Sequence, residues 1–292
     1  MKILTGFFFT TFLLFSMHEM NSQKPLFSFG VIADVQYADR DPAGNRYYRS
    51  SYDRLREAYE TFSADSVSFV INLGDLIDRD YLSFQPVMDI INSYGIKTYH
   101  IAGNHDFLVD PRLKNKLPLP SGDDSFYHQN YRFILLNGNE LSIYASNKKS
   151  AKKKSEELLA KMKTAGEINA MDWNGGISTK QLTWLEKQLD ESVANNEKVF
   201  ILCHFPVFPI NVHNLLNYRE VLRVLEKYNN IIAWLNGHNH AGNYGNFNMI
   251  HFITFRGMVD TMSDNSFATV DIYPNRLWIK GYGREKMQVL QY

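Results

Sequence analysis

Residues 231–240 read Ile231-Ile232-Ala233-Trp234-Leu235-Asn236-Gly237-His238-Asn239-His240, an apolar run of strand length that ends in a glycine and delivers two histidines. Such a run, short and rich in branched residues, suits a strand buried on both faces. His238 and His240 stand two apart, so on an extended segment both side chains leave from the same side. The same plan occurs four more times. Leu26–Ala33 runs into Asp34, Val67–Leu73 into Gly74-Asp75, and Lys97–Ala102 into Gly103-Asn104-His105-Asp106. Val199–Cys203 runs into His204, which opens the loop His204-Phe205-Pro206.

Helical patterns separate these runs at Ser51–Ser63, Phe84–Tyr94, Gln181–Ala194 and Tyr218–Tyr228. Ser178 and Gln181 have capping-box spacing at the start of the third. The alternation predicts an α/β architecture with a largely parallel first sheet. After His240 the pattern changes: Ile250–Phe255, Ser266–Ile272 and Arg276–Gly281 read as consecutive strands with a turn at Pro274-Asn275, predicting a second, more antiparallel sheet.

Bulk composition narrows the class. A chain of 292 residues with 45% hydrophobic and 21% charged side chains can bury a core and is not disordered over its length. Lys+Arg and Asp+Glu each total 31, so no general nucleic-acid coat is indicated and no nucleic-acid partner is expected. Cys203 is the single cysteine; it excludes an internal disulfide and reads as a small core residue.

At the start, Lys2 precedes the apolar run Ile3–Phe15, too short to span a membrane but suited to a signal peptide over residues 1–22, with cleavage near Ser22. Export to the periplasm or medium follows if that leader is cleaved; otherwise the location is cytoplasmic. No later segment reads as a membrane span. A single domain is expected over residues 26–292, with a lysine-rich insertion at about 142–172. Lys148, Lys149, Lys152, Lys153 and Lys154 make that segment either a cap that attracts anions or a solvated helix face.

Open α/β sheets bind ligands outside the carboxyl ends of their strands, where all five polar clusters sit. Carboxylate, amide oxygen and imidazole are metal-binding groups. His204, His238 and His240 read as ligands; His100, His128, His213 and His251 lack that context and read as structural or surface residues.

The order Asp-x-Gln, Gly-Asp-x-x-Asp, Gly-Asn-His-Asp, His, Gly-His-x-His resembles the calcineurin-like metallophosphoesterase family over nearly the whole chain after the leader. That resemblance implies a four-layer sandwich of two mixed β-sheets flanked by helices, and two divalent metal ions. Asp34, Gln36, Asp75 and His240 would hold one ion, and Asp75, Asn104, His204 and His238 the other, with Asp75 bridging. Two cations roughly 3.5–4 Å apart can clamp a phosphoryl group, and hydroxide formed on a metal would attack phosphorus in line with the leaving group. His105 is the candidate for stabilising or protonating the leaving oxygen. Asp78 either orients His105 or is an ordinary turn carboxylate.

Gln36 stands where many family members carry histidine. Its amide oxygen, with the oxygens of Asp34, Asp75 and Asn104, favours Mn²⁺ or Mg²⁺ over Zn²⁺, with Fe also possible. A narrower resemblance lies in Asp34-Val35-Gln36-Tyr37-Ala38-Asp39, Arg46-Tyr47-Tyr48-Arg49, Trp173-Asn174-Gly175-Gly176-Ile177, Asn217-Tyr218-Arg219 and Lys280-Gly281-Tyr282-Gly283-Arg284. These are similar to the manganese-dependent ADP-ribose/CDP-alcohol diphosphatases, which implies a small-molecule diphosphate substrate. Arg49 and Arg219 would then bind the non-reacting phosphate, Asn174, Gly175 and Gly176 would approach phosphate or ribose, and Tyr37, Tyr47 or Trp173 would stack on a base. Each also has a plain reading as surface charge, turn or core. Two rival functions remain: a phosphomonoesterase or cyclic-nucleotide phosphodiesterase of the same fold, and a catalytically silent metal-binding scaffold. The sequence gives no oligomeric state.

Overall fold

Along strand β1 (Phe27–Ile32), Phe27, Phe29 and Val31 point into one apolar cluster and Ile32 into another, the period-two alternation of a strand covered on both sides. The same division runs through β2 (Phe69–Asn72), where Phe69 and Ile71 face inward and Val70 outward. It recurs in β6 (Lys198–Leu202) and β7 (Ile231–Asn236). This computed structural model describes residues 24–119, 124–146 and 148–292, so the leader read at residues 1–22 lies outside the described residues.

The strands form two six-stranded sheets. One has the order β12-β11-β10-β1-β2-β3, in which β3 is Thr98–His100, β10 Ser266–Ile272, β11 Arg276–Gly283 and β12 Gln288–Gln291. The other has the order β4-β5-β6-β7-β9-β8, in which β4 is Asp124–His128, β5 Tyr131–Leu135, β8 Asn243–Phe247 and β9 Ile250–Thr254. Their facing sides enclose an aromatic core. Phe29 and Phe69 lie parallel at 5.4 Å, Phe133 and Phe200 parallel at 5.0 Å, and Phe29 meets Phe133 edge-on at 5.6 Å.

Helices α1 (Ser50–Ala64) and α2 (Phe84–Ser93) cover the outer face of the first sheet, with Leu55, Tyr59, Phe62, Val87 and Ile91 against Ile32 and Val70. Helix α3 (Lys149–Thr164) buries Ser155, Leu159 and Met162, and Leu159 and Met162 join a small cluster with Ala170 and Leu216. Helices α4 (Thr179–Ala194) and α5 (Tyr218–Leu225) cover the second sheet through Leu182, Leu185, Leu189, Tyr218 and Val221. The result is the four-layer α/β sandwich of two mixed sheets. Half of the capping box forms: Ser178 Oγ accepts the Gln181 N–H at 3.3 Å, while the Gln181 side chain turns to Asn137 instead. Cys203 is buried among apolar neighbours, and burial pushes its thiol up to about 12, in keeping with a core residue.

The strand pairing corrects one expectation. The parallel strands do not share one sheet: β1, β2 and β3 pair in parallel in one, and β5, β6, β7 and β9 in the other. Nor do the C-terminal strands form their own sheet. β9 continues the parallel run beside β7, whereas β10 and β11 extend the first sheet antiparallel from the free edge of β1. Burial patterning marks which residues are inside but not which edge a strand joins. Among the described residues, no helix is long and apolar enough to cross a membrane.

Phe133 has no exposed surface and touches both parallel aromatic pairs, so Phe133→Ala should destabilise the fold by about 3–5 kcal/mol, read as a lowered urea midpoint.

Candidate metal centre

The loops leaving the carboxyl ends of β1, β2, β3, β6 and β7 meet at one end of the sandwich. Backbone bonds zip the first two together: Asp34 N–H to Gly74 O at 3.1 Å, Gln36 N–H to Asp75 O at 2.8 Å and Tyr37 N–H to Leu76 O at 3.2 Å. Four residues here adopt left-handed backbone: Asp34 (φ 50°), Gln36 (φ 43°), Asp75 (φ 54°) and His238 (φ 67°). Side chains other than glycine rarely take this conformation, and it persists only where surrounding structure enforces it. Two glycines let the loops close. A Cβ on Gly103 would lie 2.2 Å from Asp75 Oδ1, and one on Gly237 2.5 Å from Asp34 Oδ2.

Asp75 occupies the middle. Its Oδ2 lies 3.1 Å from Gln36 Nε2 on one flank and 3.4 Å from His204 Nε2 on the other. Gln36 Nε2 is also 3.2 Å from His240 Nε2, which stands 3.5 Å from Asp34 Oδ1. On the far flank His204 Nε2 is 3.1 Å from Asn104 Oδ1. Asp75, His204 and His238 each present a ligand atom within 4.8 Å of the others. All seven expected metal ligands therefore converge, around a cavity of about 370 Å³ that Gln36, Asp75, Asn104, His238 and His240 help to line.

These residues fit a bound cation. Gln36 Oε1 is buried without a hydrogen-bond partner, and a cation would satisfy it. Imidazoles at metal sites are typically fixed through their second nitrogen. His204 Nδ1 donates to Leu73 O at 2.8 Å, which turns Nε2 toward Asp75 as the atom a cation would engage once its proton leaves. His240 Nδ1 bonds Asp260 Oδ1 at 2.9 Å, and His238 Nε2 bonds Asn174 Oδ1 at 2.9 Å.

The electrostatics follow from burial and crowding. Burial works against charge on His204 and His240. For His204 the Asp75 carboxylate overcomes it and the pKa rises to about 9; for His240, Asp34 and Asp260 raise it to about 10. His238, desolvated and beside His204, is held well below the ordinary histidine value. Burial also acts to raise Asp75, but His204 and His105 bring its carboxyl below the usual range.

A sequence model of the calcineurin-like phosphoesterases matches residues 27–242. The chain belongs to the calcineurin-like phosphoesterase family. It is 32% identical to the human protein named manganese-dependent ADP-ribose/CDP-alcohol diphosphatase, over 93% of this chain and 94% of that one. The protein of the same name from Arabidopsis thaliana is 31% identical over 90% and 96% of the two chains. A solved dimetal phosphatase from Danio rerio superposes with a TM-score of 0.84 at 28% identity, covering 92% of this chain and all of that one. As a calcineurin-like phosphoesterase, the chain is a metal-dependent hydrolase.

His105 lines the cavity; its Nδ1 meets Asp78 Oδ1 at 2.5 Å and its Nε2 lies 3.5 Å from Arg46 Nη1. Asp78 is buried, and besides His105 it meets Arg40 Nη2 at 2.8 Å. The expected substrate residues fare differently. Arg49 is exposed and paired with Asp39 at 2.6 Å and Asp41 at 2.7 Å, and Arg219 is exposed and paired with Glu167 at 2.8 Å. Neither lines the cavity. Gly175 is buried where a Cβ would meet Gly138 O at 2.1 Å, so its lack of a side chain serves packing between loops. Asn174 is buried behind His238.

Other residues take part unforeseen. Arg46, Arg79 and Leu108 line the cavity, as does His213, read from sequence as structural or surface; its Nδ1 is buried without a partner. Asp260 lies in no motif, and only its contact with His240 reveals it. Asp106 was visible inside Gly-Asn-His-Asp, but without a role.

Because His204 and His240 titrate near 9 and 10, both carry protons at pH 7, and a cation must displace them. Metal affinity should therefore rise with pH. Calorimetry of Mn²⁺ binding in buffers of different ionisation heat should show proton release at pH 7 that declines above pH 9.

Proposed function

We propose that this chain hydrolyses the diphosphate bond of nucleoside diphosphate derivatives, ADP-ribose or a CDP-alcohol, giving a nucleoside monophosphate and a phosphorylated sugar or alcohol. The observation that carries the reading is the position of Asp75, with Gln36 and His240 on one flank and Asn104 and His204 on the other. The names of the relatives, which match nearly end to end, supply the substrate class and the metal.

In this reading Asp34, Gln36, Asp75 and His240 hold one cation and Asp75, Asn104, His204 and His238 the other. The oxygen-rich set and the relatives' names both favour Mn²⁺. Such a pair, when bound, neutralises phosphate charge and makes water acidic enough to ionise near neutral pH. The chain's own residues do the rest. Asn174 and Asp260 fix the rings of His238 and His240. Arg46 lines the cavity beside His105 and offers a forked donor to a phosphate oxygen. His105, its Nδ1 engaged by Asp78, turns Nε2 toward the cavity, where it can donate a proton to the departing oxygen. Arg40 holds Asp78 from behind, so the proton donor keeps one orientation. In the same reading the lysine-rich segment 142–172 is an insertion in the domain, and a leader over residues 1–22, if cleaved as a signal peptide, carries the activity outside the cytoplasm.

The test is turnover by metal-stripped protein resupplied with Mn²⁺, Mg²⁺ or Zn²⁺. Mn²⁺-dependent release of AMP from ADP-ribose or CMP from CDP-choline is expected, and His105→Ala should lower kcat by about 10²–10⁴-fold. A preference for a cyclic nucleotide or simple phosphomonoester would retain the metal centre and discard the substrate assignment. Absence of turnover with all of them would favour the silent scaffold.

A further inference from the structure

Of the three aromatic residues that the sequence offers for stacking on a base, the structure brings one to the cavity. Tyr37 packs within the outer helical cluster and against Tyr52 at 5.7 Å, and neither it nor Tyr47 lines the cavity. Trp173 does line it, and 45% of its surface is exposed. Among the described residues Trp173 stacks on no other ring and joins none of the apolar clusters, so its flat side chain is not part of the core.

Its backbone, by contrast, is held on both sides. The preceding Asp172 pairs with Lys163 in the last turn of α3 at 2.6 Å. The following Asn174 is buried; its Nδ2 donates to Asn169 O at 2.9 Å and Val212 O at 2.7 Å, and its Oδ1 meets His238 Nε2 at 2.9 Å. The backbone that carries the exposed indole therefore needs no ordering when a ligand arrives. Cationic groups line the same cavity: Arg46, whose Nη1 lies 3.5 Å from His105 Nε2, and Arg79. Guanidinium groups and a flat indole face in one cavity match a ligand that carries both phosphate and an aromatic ring.

We propose that Trp173 is the base platform of this site: the indole face stacks on the nucleobase while the phosphates lie against Arg46 and the metal ligands. The assignment deepens the diphosphatase reading and rests on it for the substrate class, but the stacking can be measured without turnover.

The experiment is calorimetric binding of AMP and of ribose 5-phosphate, which lacks the base, to Mn²⁺-loaded wild type, Trp173→Ala and Trp173→Phe. Wild type should bind AMP more tightly than ribose 5-phosphate. Trp173→Ala should lose about 5- to 150-fold in AMP affinity, the range expected for one base–aromatic stack, with ribose 5-phosphate affected less than about 2-fold. Trp173→Phe should recover most of the loss. Equal losses for both probes, an unchanged AMP affinity in Trp173→Ala, or wild type that does not distinguish the probes would each overturn the platform. If the platform result holds while wild type turns over no diphosphate, it is the reaction assignment that fails. If ADP-ribose is cleaved and Trp173→Ala binds AMP normally, the reverse is true.

Discussion

The carboxylate of Asp106 accepts four backbone N–H groups beneath the site: Asp75 at 2.9 Å, Leu76 at 2.9 Å, Ile77 at 3.1 Å and Gly103 at 2.8 Å. Burial and the nearby Asp75 push its carboxyl up, and the N–H donors act in the opposite direction. This one side chain ties the loop after β2 to the loop after β3. It holds Asp75 in left-handed backbone, and the Asp75 loop in turn holds the Asp34 loop through three backbone bonds. His105 N–H then returns a bond to Asp75 Oδ1 at 2.7 Å, which closes the circuit. Ligands from both halves of the chain depend on that arrangement, because His238 N–H reaches Asp34 Oδ2 at 3.0 Å across the sandwich.

Charge explains why so much hydrogen bonding surrounds so small a site. Asp34 and Asp75 are buried, and buried like charges repel strongly unless cations or donors offset them. Without metal, protonated His204 and His240 supply the offset; with metal, cations replace those protons. The outer groups need not change between these states. Arg54, buried to within 6% of full exclusion, donates to Met258 O at 2.7 Å and Asp260 O at 3.0 Å, and so holds the loop that aims Asp260 at His240. The scaffold can therefore remain fixed while the charges at its centre exchange.

The sequence made the centre legible because each ligand ends a buried strand, and strand burial is written in local apolar runs. Asp34, Asp75, Asn104, His204, His238 and His240 all follow such runs, and the geometry gathers them. Sheet membership was not legible in the same way. β10 is buried along its whole length as an interior strand, but nothing in Ser266–Ile272 says that it joins β1 rather than β9. The substrate side was legible least. Arg49 and Arg219 look like phosphate binders in the sequence, yet nearby Asp39, Asp41 and Glu167 engage them at the surface. Arg46 stands in the motif Arg46-Tyr47-Tyr48-Arg49, where Arg49 was the expected phosphate binder; His213 and Asp260 carry no distinguishing neighbours in the chain, and only folding brings them to the cavity or to a ligand. Asn174 was noticed for the right segment but faces His238.

The central claim is that Asp75 is shared between two cations. Anomalous scattering at the manganese edge from crystals grown with Mn²⁺ tests it most directly. Two peaks about 3.5–4 Å apart, with the Asp75 carboxylate between them and Gln36 and Asn104 on opposite flanks, are the result this account predicts. A single peak, or two peaks that leave Asp75 outside the coordination of either, would contradict it.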